Sequence, residues 1–149
     1  MSKNPKHAQG VKKYPMSPVP ARVLAELGVA MLEGELKYGF HNFRDTDIDA
    51  KTYYDACNRH MQSWWEGQDI DPGSGLSHVT KAIATLVVLR DSMISGMLHD
   101  NRPPKSEEGW EDELNKVAEE LYKKYHPKVV CDMGGDLDIL LLKTEGSDE

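Results

Sequence analysis

Apolar residues recur at three- and four-residue steps in four stretches of this chain, each closed by glycine, proline or a polar loop. The first covers residues 21–38, where Leu24, Leu27, Gly28 and Met31 form one stripe, and Gly39 stops it. The second covers residues 50–66 through Tyr53, Cys57, Met61 and Trp64, and ends at Gly67. The third spans residues 76–97. Its centre, from Ala82 to Leu89, is apolar nearly all round, which predicts a helix enclosed by other helices, in this chain or in a partner copy. The fourth, residues 107–125, is amphipathic through Leu114, Val117, Ala118 and Leu121. The pattern predicts an all-α fold.

The ends of the chain read differently. Pro5, Pro15, Pro18 and Pro20 predict an extended N-terminal arm over residues 1–20, because proline removes a donor and blocks helix. Residues 128–131 and 137–142 flank Gly134 and Gly135, which predicts a small C-terminal β-hairpin within residues 127–149. Residues 21–126 are then the helical domain.

Charge narrows the partners. The 149 residues carry 25 acidic and 18 basic side chains, a net charge of -7, so no basic face for nucleic acid is expected. A phosphate ligand remains open, since metal ions can supply positive charge locally. Cys57 and Cys131 stand alone, which excludes a disulfide framework, a zinc knuckle and a dithiol redox site and fits a reducing interior. No apolar run approaches the roughly 18 residues of a membrane span, and the basic N-terminus lacks the apolar core of a signal peptide, so a cytoplasmic location is expected.

Candidate chemistry gathers around the first three stretches. On a helix, Glu35 falls in line with Leu24, Leu27, Gly28 and Met31 and is expected to point into the bundle, whereas Glu26 and Glu33 face solvent. Glu35 is either a metal ligand or a helix-end carboxylate that reaches water or a cation. Glu66, Asp69 and Asp71 place three carboxylates within six residues at a helix-to-loop break. That suits Mg²⁺ or Mn²⁺, which want several oxygen ligands and leave room for phosphates; an ordinary acidic turn at Asp71, Pro72 and Gly73 is the alternative. His78 points inward, as a core histidine or a further ligand. Arg59, on one helical face with Ser63 and Glu66, is placed to hold a carboxylate or a phosphate, and His60 shares a stripe with Trp64. Residues 37–44 mix Lys37 and Arg44, which suit phosphates, with Asn42 and with Tyr38 and Phe43, which either stack on a base or anchor the loop in the core.

One combination of these residues has a family likeness. Lys37-Tyr38-Gly39, Asn42-Phe43-Arg44, Tyr54, Arg59-His60, Gly67-Gln68-Asp69-Ile70-Asp71, Ser74-Gly75-Leu76 and His78 together resemble the N-terminal domain of phage dATP/dGTP diphosphohydrolases. These belong with the MazG-type all-α nucleotide pyrophosphohydrolases. The resemblance covers residues 21–98. It implies a four-helix core, a homo-oligomer (dimer or tetramer), two or more Mg²⁺ or Mn²⁺ ions and cleavage between the α- and β-phosphates, with dGTP favoured over dATP. It also implies, in some phage members, dGMP supply for 2-aminoadenine DNA. Carried onto this chain, the catalytic carboxylates are Glu35, Glu66 and Asp69. Asp71 and His78 join them as metal ligands, and Lys37, Tyr38, Asn42, Arg44, Arg59, His60 and Trp64 are the substrate contacts. The chain departs from the superfamily pattern at Leu32, where an acid is usual on the first helix, and from closer relatives at Gln68, where they carry glutamate.

Two other functions compete. The pair His99-Asp100 suggests an HD-type phosphohydrolase, but it abuts Asn101-Arg102-Pro103-Pro104, where the third helix ends. The missing acids at Leu32 and Gln68 favour a non-catalytic nucleotide-binding or regulatory module.

Overall fold

The computed structural model describes Lys6, Gly10 and residues 12–126. Among these residues the chain forms four helices: α1 (Ala21–Tyr38), α2 (Ala50–Trp65), α3 (His78–Ser95) and α4 (Trp110–Tyr125). The fold is all-α, as the periodicity predicts.

Local chemistry explains the helix ends. Pro20 at φ -62° has no N–H to leave unpaired, and its carbonyl accepts the N–H of Leu24 at 3.1 Å, so α1 starts there. Gly39 at φ 100° ends α1 while its N–H still reaches Glu35 O at 2.8 Å. Gly96 adopts the left-handed conformation at φ 76° and closes α3 two residues before the apolar pattern runs out. Leu76 and Ser77 are not in α3, because they pair with the loop before it: Leu76 O accepts from Asp71, and Ser77 bridges to Ile70.

Both α1 and α2 pack on α3. Small side chains lie at the contacts: Ala30 and Ala82 are buried, with Phe43, Ile48 and Ala50 around the α1–α2 connection. Ser92 is fully buried and satisfies its hydroxyl on Val88 O and Leu89 O, both at 2.9 Å.

A feature absent from the sequence reading ties this unit together. β1 (Ile48–Asp49) and β2 (Leu98–His99) form a two-stranded parallel pair with Ile48 opposite Leu98. Asn101 Oδ1 accepts from Lys51 N, and His99 Nδ1 lies 2.8 Å from Asp49 Oδ1, so the chain leaving α3 is fastened to the start of α2. Arg44 adds a bidentate pair with Asp91 of α3 at 2.6 and 2.8 Å. The His99-Asp100 pair is thereby split: His99 faces Asp49, while Asp100 turns to Arg102 at 2.6 Å.

The described residues 104–126 belong to a second compact unit. Within it, α4 carries Glu111, Asp112 and Glu113 in its first turn and Lys123 and Lys124 in its last, the order that complements a helix dipole. Its apolar stripe, Leu114, Val117 and Leu121, is exposed. The expected C-terminal hairpin lies outside the described residues. Residues 12–20 carry no helix or strand and include turns, with Lys13 N donating to Gly10 O at 3.1 Å and Val19 N to Met16 O at 3.0 Å, and Lys6 and Gly10 are helical, so the arm is not extended throughout. No helix among the described residues is long and apolar enough to cross a membrane.

Ala82, 3% exposed, sits at the α3 packing face, where a larger side chain has no room. Ala82→Leu should lower unfolding stability by about 1–3 kcal/mol in denaturant titration. Unchanged stability would mean that α3 is not packed there as described.

Candidate functional site

The loop between α2 and α3 is a tight reversal with its own hydrogen bonds. Gly67 takes φ 89° after the last turn of α2, and Gln68 N still donates to Ser63 O at 3.0 Å. The chain then folds back: Asp71 N donates to Leu76 O at 2.8 Å, Gly75 N to Asp71 O at 2.8 Å, and His78 N to Asp69 O at 3.0 Å. Gly75 supplies the φ of 72° that this turn requires. The Asp71 carboxylate braces its own turn, accepting from Gly73 N at 3.2 Å and Ser74 Oγ at 2.7 Å.

Asp71 also faces Lys81, one turn into α3. The Lys81 ammonium lies 2.8 Å from Glu33 Oε2 of α1 and 3.2 Å from Asp71 Oδ2. Its side chain is only 17% exposed. Lys37 bonds the other oxygen of Glu33. Two cations and two carboxylates therefore cancel. The hydrogen bonds from Lys37 and then Lys81 hold Glu33 below the ordinary glutamate range. Asp71 is held well below the aspartate range, first by Ser74 and then by Lys81 and Gly73. Burial alone would lower the Lys81 pKa, but Glu33 and Asp71 outweigh it and the lysine ends above its ordinary value.

Two histidines extend the cluster. His60 Nδ1 and His78 Nδ1 are 2.9 Å apart, and His78 Nε2 is 3.2 Å from Gln68 Oε1. The amide oxygen can only accept, so His78 carries a proton on Nε2, and with a neutral ring its Nδ1 accepts from His60. His60 is left with an unprotonated Nε2 that has no hydrogen-bond partner among the described residues. Burial, followed by the charge of Lys81 and by His78, pushes the His60 pKa down and keeps the ring neutral near pH 7.

Glu33 and Lys81 also line a cleft of about 800 Å³ between α1, residues 39–43, the start of α2 and α3. Tyr38, Phe40, His41 and Tyr53 line it too. Phe40 and His41 stack at 4.2 Å between ring centroids, and His41 holds a left-handed φ of 49° that is unusual for a non-glycine residue.

The helical phase of α1 is shifted from the expected one: Leu27 and Met31 stay half-buried, but Leu24, Gly28 and Glu35 turn out and Glu26 and Glu33 turn in. Its inward side is Glu26, Leu27, Ala30, Glu33 and Gly34, whereas Glu35 is exposed on the rim of the cleft. The apolar stripe misleads because the face meeting α3 is partly charged: Lys81 draws in Glu33, and Thr80 Oγ1 donates to Glu26 at 3.4 Å. Val29 and Leu36 are left 52% and 78% exposed.

The other expected residues divide. His60, His78 and Asp71 come together around Lys81, and Lys37, Tyr38 and Asn42 line the cleft. Glu66, Asp69 and Arg59 are exposed. Trp64 is half-exposed beside Trp65. Arg44 is engaged by Asp91, and Phe43 is a buried anchor. Among the described residues no group of three or more His, Cys, Asp or Glu side chains is arranged to hold a metal ion, so no three of Glu35, Glu66, Asp69, Asp71 and His78 form such a group. Sequence reasoning missed Glu33 and Lys81. Their signals were the Glu33/Lys37 pair at i,i+4 and the lone cation between Thr80 and the apolar run that begins at Ala82.

The family model described as dATP/dGTP diphosphohydrolase, N-terminal, matches residues 3–102, about two thirds of the chain. No curated protein and no solved structure matches.

Asp71 yields a pH test. Its folded-state pKa is depressed, so its contribution to stability is present above the unfolded pKa and is lost as pH falls through the folded one. Asp71→Asn should cost about 1–3 kcal/mol at pH 7. Thermal melts should show the gap to wild type narrowing once pH drops below about 4. A gap that stays constant to acid pH would mean that the carboxylate charge contributes nothing.

Proposed function

The chain belongs to the dATP/dGTP diphosphohydrolase N-terminal family, and on that premise we propose that it hydrolyses a purine deoxynucleoside triphosphate in the cleft beside Lys81. The family is named for a nucleotide hydrolase; dGTP preference and the cleavage position are our reading. Water attacks the α-phosphorus, the α–β anhydride bond breaks, and the products are the monophosphate and pyrophosphate. With dGTP the product is dGMP, usable for 2-aminoadenine DNA.

The observation that carries this reading is the union of one half-buried cation with an aromatic-lined cleft. A volume of about 800 Å³ lies in the range of small-molecule sites. The base is assigned to the side lined by Tyr38, Phe40, His41 and Tyr53, where flat rings offer stacking. The phosphates are assigned to the side of Lys81 and Lys37. His60 pairs with His78 outside the residues that line the cleft, and no step is assigned to it.

The residues present do not fit a resident cluster of two or more ions. The Lys81 ammonium already occupies Glu33 and Asp71, and no third His, Cys, Asp or Glu converges on them among the described residues. Mg²⁺ or Mn²⁺ is therefore assigned to the substrate, carried in on the phosphate oxygens, where it neutralises phosphate charge. Glu35, Glu66 and Asp69, exposed around α1 and the loop, are the carboxylates open to such a complex. We also assign the protein to a homo-oligomer. Val29, Leu36 and Ile94 (69% exposed) leave apolar surface that a second copy of the chain would cover. A non-catalytic nucleotide-binding module is the second reading, favoured by the lack of a converging ligand set.

Three outcomes follow. Phosphorus NMR of a dGTP reaction with Mg²⁺ should show dGMP and pyrophosphate, and EDTA should stop turnover. Diphosphate plus orthophosphate would overturn the cleavage position, and no turnover on any purine deoxynucleotide would leave the binding module. Glu33→Gln, which frees Lys81 from one partner, should raise KM and lower the melting temperature, whereas Glu35→Gln should lower kcat with the melting temperature unchanged. The reverse pattern would restore Glu35 as the inward residue. Light scattering should give a dimer or tetramer at micromolar concentration, and an active monomer would contradict the covered apolar surface.

A further inference from the structure

Lys81 sits where a divalent ion would bridge α1 and the α2–α3 loop. Its ammonium contacts one carboxylate from each, Glu33 at 2.8 Å and Asp71 at 3.2 Å, and it lines the cleft. Each carboxylate oxygen already has a donor: Glu33 Oε1 takes Lys37, Asp71 Oδ1 takes Gly73, and Asp71 Oδ2 takes Ser74 beside Lys81. The four side chains Glu33, Asp71, Lys37 and Lys81 sum to zero charge. A hard divalent ion needs free anionic oxygens, and here an ammonium already holds them.

We propose that Lys81 is the built-in cation of this cleft: its ammonium and a protein-bound divalent ion exclude one another between Glu33 and Asp71, and nucleotide phosphate meets Lys81 directly. An ammonium has three donors, and two serve Glu33 and Asp71, which leaves one for a phosphate oxygen. The carboxylates keep Lys81 charged and in place before the ligand arrives. This deepens the reading of the cleft as a nucleotide site, but its test needs no turnover.

The test is a Mn²⁺ titration of the full chain without nucleotide, followed by electron paramagnetic resonance. Lys81→Met keeps the stem and removes the charge, Lys81→Gln keeps a donor for the carboxylates, and Lys81→Arg keeps the charge. Wild type and Lys81→Arg should show no saturable Mn²⁺ site up to millimolar metal. Lys81→Met and Lys81→Gln should each gain one site, tighter by at least about tenfold because the repelling charge is gone. Circular dichroism identifies a variant that fails to fold, and Lys81→Gln then stands in for Lys81→Met. In a second arm, inorganic tripolyphosphate in EDTA should bind wild type and bind Lys81→Met at least about tenfold more weakly.

Saturable Mn²⁺ binding by wild type, or no gain in the folded neutral variant, would overturn the exclusion. Tripolyphosphate binding that ignores Lys81 would overturn the phosphate contact. A lysine that only braces the fold would shift the melting temperature and leave both titrations unchanged. Failure of nucleotide hydrolysis alone leaves these results standing, so the two readings fail separately.

Discussion

The site depends on one half-buried ammonium shared by two carboxylates. Lys81 rises from α3 and holds Glu33 of α1 and Asp71 of the preceding loop at hydrogen-bonding distance. The start of α3, the loop before it and α1, whose Glu33 lies 48 residues before Lys81, are thereby set relative to one another. Removing any one partner would leave the others partly desolvated without compensation, which is why such clusters resist substitution even where they add little net stability. The Asp71 turn is braced by Ser74 and Gly73 before it meets Lys81, so the loop presents its carboxylate in a preset geometry.

Much of the fold was legible in the sequence. The glycines at 39 and 67 end helices where the pattern places the breaks, because each takes a positive φ that other residues resist. The phase of α1 was not legible. Its large apolar residues mark a stripe, yet the face that meets α3 is chosen by small Ala30 and by charges paired across the contact. The β1–β2 pair was invisible for a different reason: two residues per strand carry no periodicity, and Asp49 and His99, which fasten it, are 50 residues apart. At the site, the sequence grouped Asp71 and His78 with Glu35, Glu66 and Asp69 and set His60 apart, whereas the structure pairs His60 with His78 and Asp71 with Lys81. Lys81, the residue that unites Asp71 with Glu33, looked like an isolated charge at the head of an apolar helix.

The exposed apolar side chains fall into place once α1 is correctly phased. A helix that meets its neighbour through Ala30, Glu26 and Glu33 must leave Val29 and Leu36 elsewhere, and they remain uncovered. Val29 and Leu36 lie on a face of α1 distinct from the stripe of Leu24, Gly28 and Met31 that Glu35 continues. The α4 stripe of Leu114, Val117 and Leu121 is uncovered as well, in a separate unit of the chain.

The central claim is that the chain supplies a lysine, and the substrate its own metal, at the phosphate end of the cleft. A crystal structure with Mg²⁺ and a dGTP analogue whose α–β bridge resists hydrolysis tests it most directly. The account predicts phosphate oxygens within hydrogen-bonding reach of Lys81 Nζ, with the ions coordinated by phosphate and Glu33 and Asp71 still bound to the lysine. Ions coordinated directly by Glu33 and Asp71, with Lys81 displaced from both, would contradict it.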